Sequence, residues 1–341
     1  MDPRRPWWQS ARSADGADRP STPVEQVLYE VKKVIVGQDE LLERMMVALL
    51  AGGHLLVEGV PGLAKTLAVK SLARTIGGTF QRVQFTPDLV PADLVGTRIY
   101  HQQSGEFQVS LGPVFANLLL ADEINRAPAK VQSALLEVMQ EQQVTIGRET
   151  HRVPRPFLVM ATQNPIESEG TYPLPEAQLD RFMMKVLVGY PSATEEFVIV
   201  ERAIGLDAVV HRVLTPERLV DLADEARRVY LDPALIEYAV RLAGATRDPA
   251  AVGLGKLSRY LTYGASPRAS INLMLAARAL AYLRGREYAI PQDLVDLAPD
   301  VFRHRLVLSY QALGDDVTAD ELLLRIMAAL PVPDVALSDR H

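Results

Sequence analysis

The chain has 341 residues, a length that at about 150 residues per domain suggests two domains. Hydrophobic residues make up 48% and charged residues 23%, which provides enough apolar surface for a full core and excludes a chain that is disordered throughout. Cysteine is absent, which excludes disulfide scaffolds, thiolate catalysis and cysteine-ligated metal centres, and the balance of 36 basic against 42 acidic residues argues against nucleic acid as the main partner.

The apolar runs and the N-terminal segment bear on where the protein acts. No uninterrupted apolar stretch approaches ~18 residues, so we expect no membrane span. The N-terminal segment carries charges but has no apolar segment behind them, unlike a secretory signal. We therefore expect a cytoplasmic protein.

Residues 1–22 are rich in Pro, Ser, Asp and Arg and show no periodicity, which predicts a disordered tail. The tail contains both tryptophans, Trp7 and Trp8, and either it has no role or this pair forms a short docking motif. A helical pattern begins at Thr22, and an amphipathic helix is predicted over 39–53, where terminal glycines suit a helix end. The first domain is therefore expected to begin directly after the tail.

Short apolar runs then alternate with helical patterns. This alternation predicts a parallel sheet covered by helices on both faces, because buried parallel strands have continuous apolar sequences. The predicted strands are 54–59, 79–85, 116–122, 155–162 and 184–189, and the clearest helices between them are 65–76 and 130–142. Two largely polar segments are predicted to be β-hairpins that offer contact surface, 97–110 and 143–153.

The strand pattern stops after Pro191. The helical patterns that follow predict a second, all-helical domain, and they cover 216–230, 234–246, 267–284, 291–299 and 319–330. We therefore divide the chain into the tail at 1–22, an α/β core at 23–190, a helical connector at 191–215, the helical domain at 216–331 and a flexible C-terminal tail at 332–341.

The strongest local pattern is a glycine-rich turn between a predicted strand and a predicted helix. Backbone N–H groups at such a turn bind phosphate, and a following lysine and hydroxyl can reach the β/γ-phosphates and Mg²⁺, roles that Lys65 and Thr66 fit. Glycine usually precedes the lysine; here Ala64 does, and we expect it to have an ordinary φ because the helix begins there. The predicted nucleotide-binding residues of the loop are Gly59, Pro61, Gly62, Leu63, Ala64, Lys65 and Thr66.

Two acidic residues end the apolar strand predicted at 116–122. A carboxylate at a strand end near a phosphate loop can hold Mg²⁺ through water, and its neighbour can activate the attacking water. Asp122 suits the first role and Glu123 the second, whereas in isolation the pair could start a loop or cap a helix. Asn164 follows another predicted strand, and its amide could orient the water, although Asn before Pro is also a common turn residue.

Two arginines are candidates for contacts with phosphate. Arg181, just before the last predicted strand, could act as an arginine finger, although most arginines are solvated surface residues. Arg268 follows a predicted N-cap, Ser266, and a first helical residue, Pro267, so the helix dipole disfavours its charge and an anion such as phosphate should compensate it. The six histidines show no metal-binding spacing, and His304 is predicted to lie at the surface or between domains.

Together these motifs resemble those of MoxR-type AAA+ ATPases. The resemblance rests on a GxPGxAKT loop, LLLADEINRA, ATQNP, EAQLDRF and GASPR in this order, and it spans roughly residues 25–330. It implies a P-loop NTPase αβα sandwich with a five-stranded parallel sheet and an all-α lid, in which the two hairpins are the insert in the second helix and the hairpin before sensor 1. It also implies residue roles, with Walker A at Lys65 and Thr66, Walker B at Asp122 and Glu123, sensor 1 at Asn164, the finger for a neighbouring subunit's ATP at Arg181 and sensor 2, in cis or in trans, at Arg268.

MoxR-type proteins usually form hexameric rings and are thought to act as chaperone-like ATPases with von Willebrand factor A-domain partners. The resemblance therefore implies Mg²⁺-dependent ATP hydrolysis that remodels or matures a protein client. Two alternatives remain open. One is the ATPase subunit of a metal chelatase or of a nucleic-acid remodeller, which nucleic-acid-stimulated turnover would reveal. The other is a nucleotide-gated scaffold with little turnover.

Overall fold

The computed structural model describes residues 22–60, 62–103, 105–164, 170–205 and 208–334. The predicted tail with Trp7 and Trp8, apart from Thr22, lies outside these ranges, as does most of the predicted C-terminal tail. The described residues form two compact units. The first consists of the residues up to Leu174 together with Val186–Leu222, and the second of Pro175–Lys185 together with the residues from Ala223 onward.

The first unit is built around a five-stranded sheet, as predicted. The strands that precede the helical half of the chain are β1 (Leu55–Glu58), β2 (Phe80–Gln84), β3 (Gly96–His101), β4 (Glu106–Leu111), β5 (Leu118–Asp122), β6 (Gln143–Ile146), β7 (Glu149–Arg152), β8 (Leu158–Gln163) and β9 (Met184–Leu187). The sheet has the order β2-β5-β8-β1-β9, and the pairs β2–β5, β5–β8 and β8–β1 are parallel. β3 pairs with β4, and β6 with β7, as the two antiparallel hairpins that the sequence predicts.

Helices surround the sheet and make up most of the second unit. Their bounds are α1 (Pro23–Lys32), α2 (Asp39–Ala51), α3 (Lys65–Thr75), α4 (Pro91–Val95), α5 (Ala129–Glu141), α6 (Glu176–Leu179), α7 (Ala193–Ile204), α8 (Pro216–Ala226), α9 (Pro233–Arg247), α10 (Pro267–Leu283), α11 (Pro291–Phe302), α12 (Tyr310–Gly314) and α13 (Ala319–Ala329). Within the described ranges, none of these helices has the length and apolar composition needed to cross a lipid bilayer.

The middle of the sheet forms the core of the first unit. Residues 118–121 of β5 and 158–161 of β8 are fully buried, as expected for parallel strands covered on both faces. Leu120 lies opposite Met160, and Leu56 of β1 lies opposite Ala161. Because these strands are parallel, their carboxyl ends meet at one edge of the sheet, where the polar residues of the candidate site follow.

The predicted start of the first helix is confirmed in atomic detail. The Thr22 hydroxyl accepts a hydrogen bond from the Glu25 backbone N–H at 3.1 Å, and the Glu25 carboxylate accepts one from the Thr22 N–H at 3.0 Å. This reciprocal capping box satisfies two helix-terminal donors that would otherwise lack partners, a contribution of about 1 kcal/mol. Helix α1 begins here because the local sequence favours a helix start.

One feature of the second unit corrects the prediction of an all-helical domain. Residues Leu261–Tyr263 (β10) and Val307–Leu308 (β11) pair in an antiparallel manner. Strands of three and two residues are too short for alternation to appear in the sequence, so periodicity could not reveal them. The remaining predicted elements of this half, α8 to α11 and α13, are confirmed with shifts of a few residues at their ends.

A buried histidine at the amino end of β1 links α5 to β8. His54, just before β1, uses both ring nitrogens: Nε2 donates to the Met139 carbonyl at 3.1 Å, and Nδ1 accepts from the Val159 N–H at 3.0 Å. Protonation of Nδ1 would remove that acceptor, so the ring is held neutral. Burial lowers the pKa of His54 to about 4.

We expect the first unit to lose stability in mild acid because of His54. The unfolded chain takes up a proton near pH 6.5 and the folded one only near pH 4, so this stability is present above pH 6.5 and is lost as the pH falls toward 4. The expected loss is about 2 kcal/mol between pH 7.5 and pH 5. Urea unfolding followed by circular dichroism at both pH values measures it. His54→Gln should flatten the dependence, whereas His101→Gln on the exposed face of β3 should leave it unchanged; equal slopes in all three proteins would contradict the assignment.

Candidate active site

The glycine-rich loop joins β1 to α3 and begins the site. Lys65 is the first residue of α3, and its Nζ donates back across the loop to the Gly59 carbonyl at 2.7 Å. The loop therefore curls around the N-terminus of the helix, where free backbone N–H groups and the helix dipole favour an anion. Burial lowers the pKa of Lys65, an effect that the carboxylates of Asp122 and Glu123 oppose. Pro61 lies outside the described residues.

Ala64 differs from the expectation. It precedes α3 with φ +56° and ψ +17°, in the left-handed region, whereas the sequence predicted an ordinary φ. The error came from counting Ala64 as the first turn of the helix, while the structure uses it as the flanking residue at which the chain turns into the helix. For a residue with a Cβ this conformation costs about 1–2 kcal/mol, which glycine at the same place would avoid.

Gly59 is required for a different reason. Its φ is not left-handed, but a Cβ on Gly59 would lie 2.6 Å from the Val188 carbonyl oxygen, too close for any side chain. Val188 follows β9 and is fixed in turn by its N–H, which donates to the Glu58 carbonyl at 2.8 Å. The start of the phosphate loop is therefore packed directly against the backbone beside it.

The two predicted acids lie at the end of β5, and one hydroxyl joins them. Thr162, buried on β8, donates to Asp122 Oδ1 at 2.5 Å and accepts from the Glu123 backbone N–H at 2.9 Å. Glu123 has φ +56°, in the left-handed region, so the chain turns sharply directly after β5. Thr162 belongs to the motif ATQNP, but the sequence alone assigned it no role. Its place near the end of the strand next to β5 is the signal that could have identified it.

Three further side chains hold these carboxylates, and sequence reasoning missed all three. Arg82 of β2 donates to Asp122 Oδ2 through Nη2 at 2.7 Å and through Nε at 3.1 Å. Gln84, on the same face of β2, donates to Glu123 Oε2 at 2.8 Å, and Arg126 Nε lies 2.9 Å from the same oxygen. The adjacency of β2 and β5 places the first two beside the acids, and nothing in the sequence states that adjacency.

These elements enclose one cleft of about 400 Å³ in the first unit. It brings together nine of the predicted site residues with four others, so that two cations, two carboxylates, two hydroxyls and helix-terminal N–H groups face one space. Its lining is Gly59, Gly62, Leu63, Ala64, Lys65, Thr66, Leu67, Arg82, Asp122, Glu123, Thr162, Gln163 and Asn164. Among the described residues, no group of three or more His, Cys, Asp or Glu side chains is placed to hold a metal ion. The cleft does present oxygen donors of the kind that Mg²⁺ prefers, at Thr66 and Asp122.

Arg181 and Arg268 lie in the second unit. Arg181 follows α6 and donates to the Ala177 carbonyl at 2.9 Å. Arg268 lies in the first turn of α10, which Ser266 caps as predicted, and its Nη1 pairs with Asp180 Oδ2 at 3.3 Å. The compensating anion expected for Arg268 is thus present in the chain itself, as a carboxylate 88 residues away in sequence.

His304, in the second unit, is buried, which rules out the surface position, one of the two positions that the sequence predicted. Its Nε2 lies 3.2 Å from the Phe182 carbonyl, and burial lowers its pKa well below the usual value. The flanking residues Arg303 and Arg305 suggested exposure, but both are themselves satisfied inside the unit. Arg305 pairs with Asp180 at 2.8 Å.

The comparisons with known proteins agree with this geometry. Residues 54–184 match the profile of the ATPase family associated with various cellular activities (AAA), and residues 257–326 match the AAA lid domain. The chain is 55% identical over 312 residues to Chaperone MoxR1 of Mycobacterium tuberculosis, across 92% of this chain and 83% of that one. It is 33% identical over 320 residues to Protein MoxR of Paracoccus denitrificans, across 88% and 93% of the two chains.

A solved structure from Cytophaga hutchinsonii shares the fold. It superposes with a TM-score of 0.87 at 46% sequence identity, covering 92% of this chain and 95% of that one. The identity to proteins of the MoxR type extends over most of both chains, and the phosphate loop and the acids at the end of β5 occupy one cleft. The chain belongs to the MoxR family of AAA+ ATPases.

Proposed function

We propose that the chain is a Mg²⁺-dependent ATPase whose hydrolysis cycle remodels or matures a protein client. The observation that carries the proposal is the cleft itself, in which Lys65, Asp122 and Glu123 face one space at the N-terminus of α3. A triphosphate needs these groups together: donors and a cation for the phosphates, an oxygen ligand for the metal, and a base for the attacking water.

ATP binding falls to the phosphate loop. In the proposal, the N–H groups of Gly62 to Thr66 cradle the phosphates, Gly59 and Pro61 precede them in the loop, and Lys65 exchanges its bond with the Gly59 carbonyl for phosphate oxygens. The Thr66 hydroxyl and, through water, Asp122 hold Mg²⁺. When bound there, the ion would supply positive charge that offsets the negative charge developing on the phosphates during transfer to water.

In the proposal, residues at the ends of β5 and β8 carry out hydrolysis. Glu123 accepts a proton from the attacking water, and the Asn164 amide orients that water. Glu123 is partly exposed and is bound by Gln84 and Arg126, so its carboxylate is held in a fixed place in the cleft.

Assembly completes the site in this proposal. A homo-hexamer allows Arg181 of one subunit to approach the ATP of its neighbour, and Arg268 adds a cation to a phosphate in cis or in trans. The AAA+ core then corresponds to 23–190, the connector to 191–215 and the lid to 216–331. The likeness to a protein named as a chaperone supports a protein client, and we expect a von Willebrand factor A-domain partner and a cytoplasmic location.

The test is ATP binding and phosphate release with a matched pair of lysine variants on α3. Lys65→Ala should lose most ATP binding, because it removes a cation that binds phosphate, and turnover should fall with it. Lys70→Ala, an exposed lysine on the same helix, should bind and hydrolyse ATP like wild type. Equal ATP affinity in both variants would contradict the proposal.

The same assay addresses nucleic acid. The net charge of −6 disfavours a phosphate backbone as ligand, so DNA and RNA should leave turnover unchanged at physiological salt. A several-fold stimulation with steep salt dependence would instead support a nucleic-acid remodeller.

A further inference from the structure

Arg82 lies in the cleft but has no part in the proposed reaction. Two of its nitrogens, Nε at 3.1 Å and Nη2 at 2.7 Å, donate to a single oxygen, Oδ2 of Asp122. The side chain of Asp122 is 17% exposed and that of Arg82 is 49% exposed, so the carboxylate is shielded while the guanidinium borders open space. The guanidinium can therefore leave the carboxylate without disturbing the core.

The pairing nearly fills the hydrogen-bonding capacity of Asp122. Each carboxylate oxygen accepts about two hydrogen bonds. Oδ2 already accepts two from Arg82, and Oδ1 accepts one from Thr162 at 2.5 Å. The waters of a hydrated metal ion would find a single remaining acceptor position on Asp122. That position lies beside the positive charge of Arg82, which repels the ion.

A second hydrogen bond can hold Arg82 in the cleft after it leaves Asp122. Nη2 also donates to Gln84 Oε1 at 3.2 Å, on the same face of β2. When its bonds to Asp122 are broken, the guanidinium keeps this contact and stays in the cleft, where it faces the same space as Lys65 and Thr66. Release from the carboxylate is thus a local movement.

We propose that Arg82 is the counter-cation of Asp122 in the nucleotide-free chain and that Mg²⁺ replaces it when nucleotide binds. The inference rests on the proposed function, which assigns Asp122 to the metal. In this exchange, the Arg82 guanidinium leaves Asp122 Oδ2, and a metal-bound water takes that position. Arg82 therefore opposes metal binding and acts as a positioning residue of Asp122.

The exchange is tested by nucleotide affinity, not by turnover. The affinity for a fluorescent N-methylanthraniloyl derivative of ADP is measured with MgCl₂ and with EDTA, and the ratio gives the Mg²⁺ enhancement. Arg82→Gln removes the competing cation and should raise that enhancement about three- to tenfold over wild type, the range expected for a charge-assisted pair that is partly exposed. Arg82→Lys keeps a charge but only a single-point contact, and should raise it less.

The controls separate this inference from the proposed function. Arg74→Gln, at an exposed position of α3, should show the wild-type enhancement, and equal thermal unfolding by circular dichroism shows that the variants fold. If wild type shows no Mg²⁺ enhancement, the metal role of Asp122 fails and the exchange fails with it. If wild type shows one and Arg82→Gln leaves it unchanged or lowers it, only the exchange is overturned.

Discussion

Glu123→Gln should lower ATP turnover about 10²–10⁴-fold while ATP still binds, because an amide of the same shape cannot accept the proton of the attacking water. The backbone bond from Glu123 to Thr162 does not involve the replaced group, so the turn at the end of β5 is retained. Single-turnover phosphate release measures the loss, and equilibrium binding of ATP shows that the site remains. Turnover within a few-fold of wild type would mean that another group is the base.

The same variant tests the coupling to a client. Held in the ATP state, Glu123→Gln should retain a protein partner more strongly than wild type with ADP, since a partner that responds to nucleotide must differ in affinity between the two states. Glu137→Gln, an exposed carboxylate on α5, is the matched control and should behave as wild type. Equal recovery of the partner in both nucleotide states would contradict a remodelling cycle.

Arg181→Ala should abolish most turnover in a way that another subunit can repair. An arginine finger contributes about 10³–10⁵ in rate in related phosphoryl transfers, and a finger offered to a neighbour has no role in its own site. Mixing Arg181→Ala with Lys65→Ala subunits should therefore restore part of the activity, because some interfaces combine an intact loop with an intact arginine. Specific activity should also rise with protein concentration.

The control for this mixing experiment is a chain that carries both substitutions. Mixed with Arg181→Ala, the double variant offers no intact arginine, so it should restore nothing. Activity that is independent of concentration down to low nanomolar, from a protein that is monomeric by light scattering, would rule out action in trans.

The sequence was most informative where function follows from local order along the chain. A strand, a glycine-rich turn and a lysine at a helix start form one continuous segment, so the roles of Lys65 and Thr66 could be predicted without knowledge of the sheet. The roles of the two acids at the end of β5, Asp122 and Glu123, could likewise be predicted from one continuous segment. Even there, the left-handed φ of Ala64 escaped prediction, because which residue flanks a helix and which begins it differs by one position.

What could not be predicted depends on contacts between distant segments. Arg82 reaches Asp122 because β2 and β5 are neighbours, and Thr162 reaches both acids because β8 lies on the other side of β5. Strand order is not encoded in periodicity, so neither partner was visible. The same holds for Asp180 beside Arg268, a pair formed across 88 positions of sequence.

The strand order also makes the cleft sensitive to errors in strand register during folding. Arg82 lies within β2, Asp122 and Thr162 lie at or near the ends of β5 and β8, and Gly59 follows β1. These four strands are neighbours in the sheet and together span about 14 Å at a spacing of about 4.8 Å per strand. If β2 slipped by one residue against β5, the guanidinium would move to the opposite face. A misregistered chain would thus have a damaged core and an inactive cleft together, so screening variants for nucleotide binding also screens them for correct strand pairing.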